Sequence, residues 1–274
     1  GHKRVHESAA VWTIYHAIDS ETANPFQAYQ ATRYVDTAIP HIPVTAHGLK
    51  ENGYATIATT NWLPYSWSIN NVAFAEVMHT ALSYFQAGRA DAGYKLLKSS
   101  VLDGMYLGDS PGNFGQISFY DAARGECYRD FGDPIGVASR VLIQGLFGIL
   151  PDALNQQIIL RPGFPDDWDK ASVSTPDINY RFTRKEDTDT YHITQRFQTP
   201  LHPVLQVNAR KEKIRSVKVN GVPATWQSIE SAHGYPLLSI QAEGTSSTTI
   251  TIEWEGAPLH TLAVQEPVIT SNGK

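Results

Sequence analysis

Acidic side chains are concentrated in one polar and aromatic stretch of the chain. Its acidic residues are Asp109, Asp121, Glu126, Asp130 and Asp133, all within 25 positions. Paired carboxyl groups act as general acid and general base when one is protonated and the other ionised. Cleavage of a glycosidic bond needs such a pair about 5 to 10 Å apart. This stretch is therefore the first candidate for a catalytic site.

Local structure accounts for two of these carboxylates. Asp133 directly precedes Pro134, and this order is typical of a helix start, so we expect Asp133 to cap a helix. Asp130 adjoins Arg129, which favours a structural ion pair. Neither residue needs a catalytic role to explain it.

Glu126 is the leading catalytic candidate because it has no helix to cap. Asp121 is the second candidate, although Arg124 offers it a structural ion pair. Burial and a neighbouring like charge would raise the pKa of one carboxyl group and leave the other ionised. We predict that Glu126 lines a concave pocket with a second carboxyl group, either Asp121 or Glu7.

Two further acidic segments carry weaker signals. Glu7 follows His6, and an imidazole beside a carboxylate can tune its pKa for acid or base work. A surface cap is the structural alternative for this pair. Asp19 and Glu21 precede a predicted helix, where acidic residues favour the helix dipole without any further role.

Aromatic residues are concentrated just before a predicted helix. Trp62, Tyr65 and Trp67 surround Pro64, and Asn61 precedes them. Flat rings of this kind stack on the apolar faces of sugars, and an amide can bind their hydroxyl groups. The segment therefore predicts a substrate-binding platform that shares its pocket with Glu126. A packed loop between helices is the alternative.

Composition excludes several classes of protein. The 274 residues carry a net charge of −5 with 18% charged and 11% aromatic residues, and the few basic residues are scattered. This pattern lacks the clustered basic residues that bind nucleic acid. No apolar run is long enough to span a bilayer. The single Cys127 excludes an intrachain disulfide. Since phosphate-loop, Gly-x-Ser-x-Gly and HExxH motifs are absent, we expect no cofactor and no metal.

The patterning changes from helical to strand-like near residue 155. Apolar residues at three- and four-residue spacing predict helices over 26–38, 69–87, 90–103 and 134–149. Asn24 and Pro25 begin the first, Ser68 is the expected cap of the second, and Gly104 ends the third. From about 157 to 255 the alternation has period two, and Asn220-Gly221 is a hairpin signal, so we predict an antiparallel β-sandwich.

The junction between these regions is recognisable. Gly145-Leu146-Phe147-Gly148-Ile149-Leu150-Pro151-Asp152 is followed by Ile158-Ile159-Leu160-Arg161-Pro162-Gly163-Phe164-Pro165. This order resembles the end of the six-hairpin glycosidases, the α-L-rhamnosidases and their relatives, over roughly residues 60–255. The stretch 6–44 is similar to uncharacterised domains of large bacterial polysaccharide-degrading proteins.

The resemblance implies an α+β chain with several domains. Residues 1–155 would form part of an (α/α)6 toroid, 156–256 an antiparallel β-sandwich and 257–274 an irregular tail. It also implies a general base in the loop that contains Asp121 and Glu126. A full toroid has six hairpins, so the remaining helices are expected upstream in the same polypeptide.

Two functions are consistent with these observations. The first is a periplasmic or secreted glycoside hydrolase, or the C-terminal part of one, with a carbohydrate as substrate and an upstream domain as partner. The second is a non-catalytic carbohydrate-binding or structural module beside a separate catalytic domain. Neither involves nucleic acid or a membrane.

Overall fold

The computed structural model describes residues 8–61, 72–107, 119–121, 126–128, 132–233 and 236–259. For 119–121 and 126–128 only the backbone is described. The chain divides into two compact units between Leu142 and Ile143. The described part of the first unit is mainly helical and that of the second is built mainly from strands, so the predicted α+β class is confirmed.

The first unit contains helices and short strands. Its described helices are α1 (Val11–Asp19), α2 (Pro25–Ala38), α3 (Phe74–Gln86), α4 (Ala90–Val101) and α5 (Asp133–Arg140). Two π-helical turns extend α4 and α5, at Leu102–Leu107 and Val141–Leu146, and the second one ends within the second unit. Its strands are β1 (His41–Pro43), β2 (Ala55–Ile57), β3 (Val72–Ala73), β4 (Phe119–Asp121) and β5 (Glu126–Tyr128).

Helix α3 is the central helix of this unit. Its apolar stripe at three- and four-residue spacing is buried throughout: Phe74, Val77, Met78, Ala81, Leu82 and Phe85. Thr80 and Ser83, outside that stripe, are buried too, because α1, α2, α4 and α5 all pack against α3. A helix covered on several sides keeps its polar side chains partly or fully away from water, and this holds for those of α3.

The start of α2 follows the sequence prediction. The Asn24 side chain accepts from the Gln27 backbone N–H and the Gln27 side chain accepts from the Asn24 N–H, both at 2.9 Å. This reciprocal capping box satisfies two backbone donors that the helix itself leaves unpaired. The predicted Asn24 cap is therefore confirmed.

Several predicted helix ends are wrong. Helix α3 begins after Ala73, not at Ser68, because Val72 and Ala73 pair with β4 as a strand. The N-cap of α5 is Gly132, and Asp133 is already the first helical residue. The predicted end of α4 at Gly104 is also wrong, since Gly104 lies inside a π-helical turn.

The last predicted helix also ends early. Helical geometry stops at Leu146, and the residues from Ile149 onward form a strand in the second unit. The sequence pattern placed these residues in the helical region because their apolar spacing suits either element. A short helix, α1, has no counterpart among the predicted helices.

The second unit is a pair of packed sheets. Its strands are β6 (Ile149–Asp152), β7 (Gln157–Leu160), β8 (Lys170–Ser174), β9 (Ile178–Lys185), β10 (Thr188–Gln195), β11 (His202–Asn208), β12 (Lys211–Val219), β13 (Val222–Pro223), β14 (Gln227–Ile229), β15 (Leu237–Gln241) and β16 (Ser247–Pro258). One sheet has the order β13-β12-β16-β10-β9-β8 and the other β14-β15-β11-β7-β6. Among these described strands only β7 and β11 pair in parallel, and the other neighbours are antiparallel.

Both sheets contribute to one core. Tyr180, Ile252 and Trp254 from the first sheet and Leu160 and Leu205 from the second are all almost fully buried in it. These are the inward positions of a period-two pattern, which is what a sandwich requires. The predicted period-two alternation is therefore seen in the burial pattern of strands such as β9 and β10.

Two carboxylates are buried for structural reasons. Asp36 is 4% exposed and accepts from Arg89 at 2.6 Å. Asp189 is 2% exposed and accepts from Arg184 and from the Trp254 indole, both at 2.9 Å. A buried charge with this many donors is compensated by them and stabilises the local packing. Neither carboxylate is therefore a candidate for catalysis.

The recognisable junction motif has a packing explanation. Gly148 has φ +64°, and a Cβ there would overlap the Arg161 carbonyl group. The Arg161 N–H donates to the Gly148 carbonyl at 2.8 Å, and Phe147 packs edge-on against Phe164. Only glycine fits this close approach of two chain segments. The motif thus specifies how the sandwich begins.

Replacing Gly148 with alanine should destabilise the protein by about 3 kcal/mol or more, because the new methyl group meets backbone and the φ is unfavourable. Gly136→Ala is the matched control. Gly136 lies in helix α5 with open space where an alanine methyl group would sit, so alanine there should stabilise by about 0.5 to 1 kcal/mol. Denaturant unfolding measures both, and equal effects of the two substitutions would contradict the prediction.

Candidate functional site

The polar face of the central helix forms the core of the candidate site. Glu76, His79 and Gln86 lie on α3 at spacings of three and seven residues, which places them on one face. Glu76 and His79 are partly buried. Helices α1 and α5 both contact α3. Polar groups from three helices therefore meet here.

An ion pair joins α1 to α5 across this face. Arg140 donates from Nη1 to Asp19 Oδ2 at 2.7 Å and from Nη2 to Asp19 Oδ1 at 2.6 Å. Gln86 donates to Asp19 Oδ1 at 2.9 Å. A two-pronged arginine–carboxylate contact fixes both distance and orientation. Asp19 thus holds the last residue of α5 in place, which is more than the helix-dipole role that the sequence suggested.

The pKa of Asp19 reflects these contacts. Burial alone would raise the pKa of its carboxyl group, but hydrogen bonds from Arg140 and Gln86, together with the charge of Arg140, outweigh that effect. The result is a pKa below its ordinary value, so Asp19 is ionised at neutral pH. It is a positioning residue with no available proton.

His79 is a neutral member of the site. Burial lowers the pKa of its imidazole, and the charge of Arg140 lowers it further. Its Nε2 lies 3.3 Å from Arg140 Nη1, and a guanidinium group can only donate. Nε2 is therefore the acceptor and Nδ1 carries the proton. The ring also stacks on Tyr15, with centroids 4.6 Å apart.

Among the described residues of this face, Glu76 is the acidic side chain whose pKa is raised. Burial raises the pKa of its carboxyl group, a backbone hydrogen bond opposes the shift, and the negative charge of Asp133 adds to it. Burial raises the pKa of Tyr15 to about 12, with smaller contributions from Glu76 and Asp133. Glu76, Asp133 and Tyr15 therefore share one electrostatic environment. A carboxyl group whose pKa is raised beside an exposed carboxylate retains its proton to higher pH and is better suited to donate it.

The predicted carboxylates Asp121 and Glu126 are register partners in a hairpin. Strand β4 pairs with β5 so that Asp121 lies opposite Glu126. Strand β4 also pairs with β3, through Val72 opposite Tyr120, and β3 leads directly into α3. The sheet thus attaches the predicted pair to the strand from which the Glu76 helix starts. The predicted separation of their carboxyl groups stays a prediction, because only the backbone is described there.

The remaining predicted site residues are mostly outside the described part. His6, Glu7, Trp62, Tyr65 and Trp67 all lie in segments that the structure leaves undescribed. Their roles stay predictions. Asn61 is described and is exposed, directly after the buried Thr60. An exposed amide at this position is accessible to a ligand.

Sequence reasoning missed Glu76, His79 and Arg140. A usable signal was present, since Glu76 and His79 interrupt an otherwise apolar helix three positions apart and Gln86 follows on the same face. Asp133 was explained as a cap, and its position as a charge near Glu76 follows only from the packing of α5 on α3. Contacts between residues distant in sequence, such as Asp19 and Arg140, leave no local pattern.

The described residues carry neither a metal cluster nor a membrane span. Within them no group of three or more histidine, cysteine, aspartate and glutamate side chains is arranged to hold a metal ion. No helix in the described segments is both long and apolar enough to cross a membrane.

No protein-family profile matches the chain, and no curated protein does. Among solved structures, an α-L-rhamnosidase from Dictyoglumus thermophilum is 13% identical with a TM-score of 0.41 over 66% of this chain and 21% of its own. The Streptomyces avermitilis α-L-rhamnosidase complexed with L-rhamnose is 14% identical, with a TM-score of 0.41 over 66% of this chain and 18% of its own.

A third structure, described as a glycoside hydrolase, is 11% identical with a TM-score of 0.33 over 79% of this chain and 39% of its own. The chain thus spans about a fifth of the two rhamnosidases and about two fifths of the third protein. With TM-scores under 0.5, these likenesses assign neither a family nor an activity to the chain.

Removing the charge of Asp19 should loosen the site. We expect Asp19→Asn to destabilise α1 and α5 by about 2 kcal/mol at pH 7, because Arg140 loses its charged partner. The folded pKa of Asp19 lies below its unfolded value, so the stabilisation is present above about pH 4 and is lost as the pH falls through the folded pKa. The difference between variant and wild type should therefore shrink at pH 3.

Native-state hydrogen exchange of the α1 and α5 amides measures this local stability. Glu21→Gln is the control, since Glu21 is exposed and two residues away. Equal protection in Asp19→Asn and Glu21→Gln at pH 7 would show that the ion pair does not hold the two helices.

Proposed function

We propose that this chain is part of a glycoside hydrolase, and that its helical unit supplies the carboxyl groups that cleave a glycosidic bond. The observation that supports this most directly is Glu76, a partly buried carboxyl group whose pKa is raised by burial and by Asp133. General acids in this chemistry need a proton available near neutral pH. The junction motif, which resembles that of the six-hairpin glycosidases, is a second support.

In the proposed mechanism each carboxyl group has a separate role. Glu76 donates its proton to the glycosidic oxygen as the bond to the leaving sugar breaks. Glu126, ionised, acts as general base and accepts a proton from the attacking water. The negative charge of Asp133 raises the pKa of Glu76 and so favours return of the proton to Glu76 after each cycle.

Positioning residues support this arrangement. Arg140 anchors the C-terminal end of α5, whose first residue is Asp133, and Asp19 fixes Arg140. His79 and Tyr15 form a stacked pair that joins α3 to α1, and His79 also contacts Arg140. Asp121, opposite Glu126 in the hairpin, and Glu7 are the further carboxyl groups proposed to share the pocket.

The proposal extends to the rest of the protein. A six-hairpin toroid needs more helices than the five α-helices described here, so we propose that a preceding segment of the same polypeptide supplies the others. A carbohydrate is the proposed substrate, and the periplasm or the cell exterior the proposed location. Cell fractionation tests the location.

Glu76→Gln should lower kcat/KM on glycosides by about 10² to 10⁴-fold, because an amide cannot donate the proton that the leaving oxygen needs. Glu126→Gln should have an effect of similar size through loss of the base. Activity is measured in the protein as its gene encodes it, on aryl glycosides and on plant polysaccharides. Glu230→Gln, an exposed carboxylate of the sandwich, is the control.

If Glu76→Gln and Glu230→Gln are equally active, Glu76 is not the acid. If the wild type binds polysaccharide but hydrolyses none of the substrates, the non-catalytic carbohydrate-binding module becomes the better description. Measuring hydrolysis and polysaccharide binding on the same samples distinguishes these two outcomes.

The aromatic platform has its own test. Trp62→Ala and Trp67→Ala should each weaken oligosaccharide binding by about 1 to 3 kcal/mol if the rings stack on sugar. The expected effect is on Kd with little change in unfolding. Substitutions that leave Kd unchanged but lower the free energy of unfolding would show that the rings are packed between helices. Trp226→Ala, an exposed tryptophan of the sandwich, is the matched control.

A further inference from the structure

The sandwich unit contains an open cavity that the proposed catalytic groups do not line. Its volume is about 360 Å³, and its walls come from both sheets, with β7, β11 and β15 on one side and β12 and β13 on the other. Ligand sites for small molecules begin at about 300 Å³. The cavity is therefore large enough for one small ring.

Two amide groups at this cavity are held in a fixed orientation. Asn155 and Gln157 line it, and both donate to Asp152 Oδ2, at 2.7 and 3.1 Å. The same hydrogen bonds hold the pKa of Asp152 below its ordinary value, so its carboxylate is ionised and can only accept. The amide nitrogens must face Asp152. Their carbonyl oxygens consequently face away from it as oriented acceptors.

Donors come from the neighbouring strands. His202 Nδ1 accepts from the Gly244 backbone N–H at 3.0 Å, so in the neutral ring Nε2 carries the proton. Gln241 adds an exposed amide group from β15. The cavity lining thus combines acceptors and donors, which is what a ligand with several hydroxyl groups requires.

The charge and the apolar wall narrow the choice of ligand. Among the described residues that line the cavity, Glu243 is the one carboxylate, and its charge would repel an anion. Val222 and Pro223 form an apolar wall on the edge strand β13, and Val222 is 65% exposed. A neutral ring with hydroxyl groups at its edge and an apolar face matches this lining.

We propose that this cavity binds one neutral pyranose unit, and that it is a carbohydrate-binding site separate from the proposed catalytic one. Hydroxyl groups of the sugar donate to the carbonyl oxygens of Asn155 and Gln157 and accept from His202 and Gln241. The C–H face of the ring packs on Val222 and Pro223. The choice of a sugar over a short peptide rests on the proposed function.

The test uses the 274-residue chain labelled with ¹⁵N. Methyl pyranosides of neutral hexoses and 6-deoxyhexoses are titrated in, with methyl glucuronide as the anionic comparator. The side-chain amide signals of Asn155, Gln157 and Gln241 should shift with the neutral sugars. They should shift less, at equal concentration, with the glucuronide.

Substitutions locate the site. Gln241→Ala should weaken Kd about fivefold, the loss of one neutral hydrogen bond. Val222→Asp should weaken Kd at least tenfold, because a charge replaces the apolar wall on an exposed edge strand that tolerates it. Gln227→Ala is the matched control, since Gln227 is an exposed glutamine on the adjacent strand β14 and does not line the cavity.

The proposal is overturned if none of the neutral sugars shifts the three amides, or if Gln241→Ala and Val222→Asp bind as tightly as Gln227→Ala. Trialanine is titrated in the same way as a short peptide. If it shifts the three side-chain amide signals and no sugar does, the cavity binds a peptide and not a sugar. Hydrolysis by the wild type separates this inference from the proposed function. If the wild type hydrolyses no glycoside but the neutral sugars still shift the three amides, only the catalytic proposal is wrong.

Discussion

The ion pair between Asp19 and Arg140 is the constraint on which the candidate site depends. It joins residues 121 positions apart and holds α1 and α5 against the central helix. Because Arg140 ends α5 and Asp133 begins it, the pair also limits where the Asp133 charge can lie relative to Glu76. Burial of α3 and the nearby negative charge together raise the pKa of Glu76. The position of the Asp133 charge and the raised pKa of Glu76 therefore follow from the same packing.

The sandwich shows how a recognisable motif can be purely structural. Gly148 is required because Arg161 passes within contact distance of its backbone, and the aromatic residues beside both segments pack together. None of these residues needs a ligand to explain it. Resemblance at the junction consequently informs about architecture, whereas chemistry has to be argued from the carboxyl groups. The oriented amides near Asp152 are different, since their carbonyl oxygens have no such packing explanation.

Sequence reasoning succeeded where the signal is local. The capping box of α2, the apolar stripe of α3 and the alternation of β9 and β10 are each set within a few residues. It failed where contacts between residues distant in sequence determine the structure. Strand β3 replaces the predicted first turn of α3 because β4 pairs with it, and Asp133 acts on Glu76 only through the packing of two helices. The hairpin that places Asp121 opposite Glu126 was not predicted, because each of its strands is only three residues long.

The proposed catalysis requires a proton on Glu76 that the negative charge of Asp133 helps to retain. The most direct measurement is a ¹³C NMR titration of the Glu76 side-chain carboxyl group in the wild type and in Asp133→Asn. We expect a pKa above the ordinary value of about 4.3 for glutamate, with a decrease when the charge of Asp133 is removed. A Glu76 carboxyl group that titrates at its ordinary value, and is unchanged by Asp133→Asn, would contradict it.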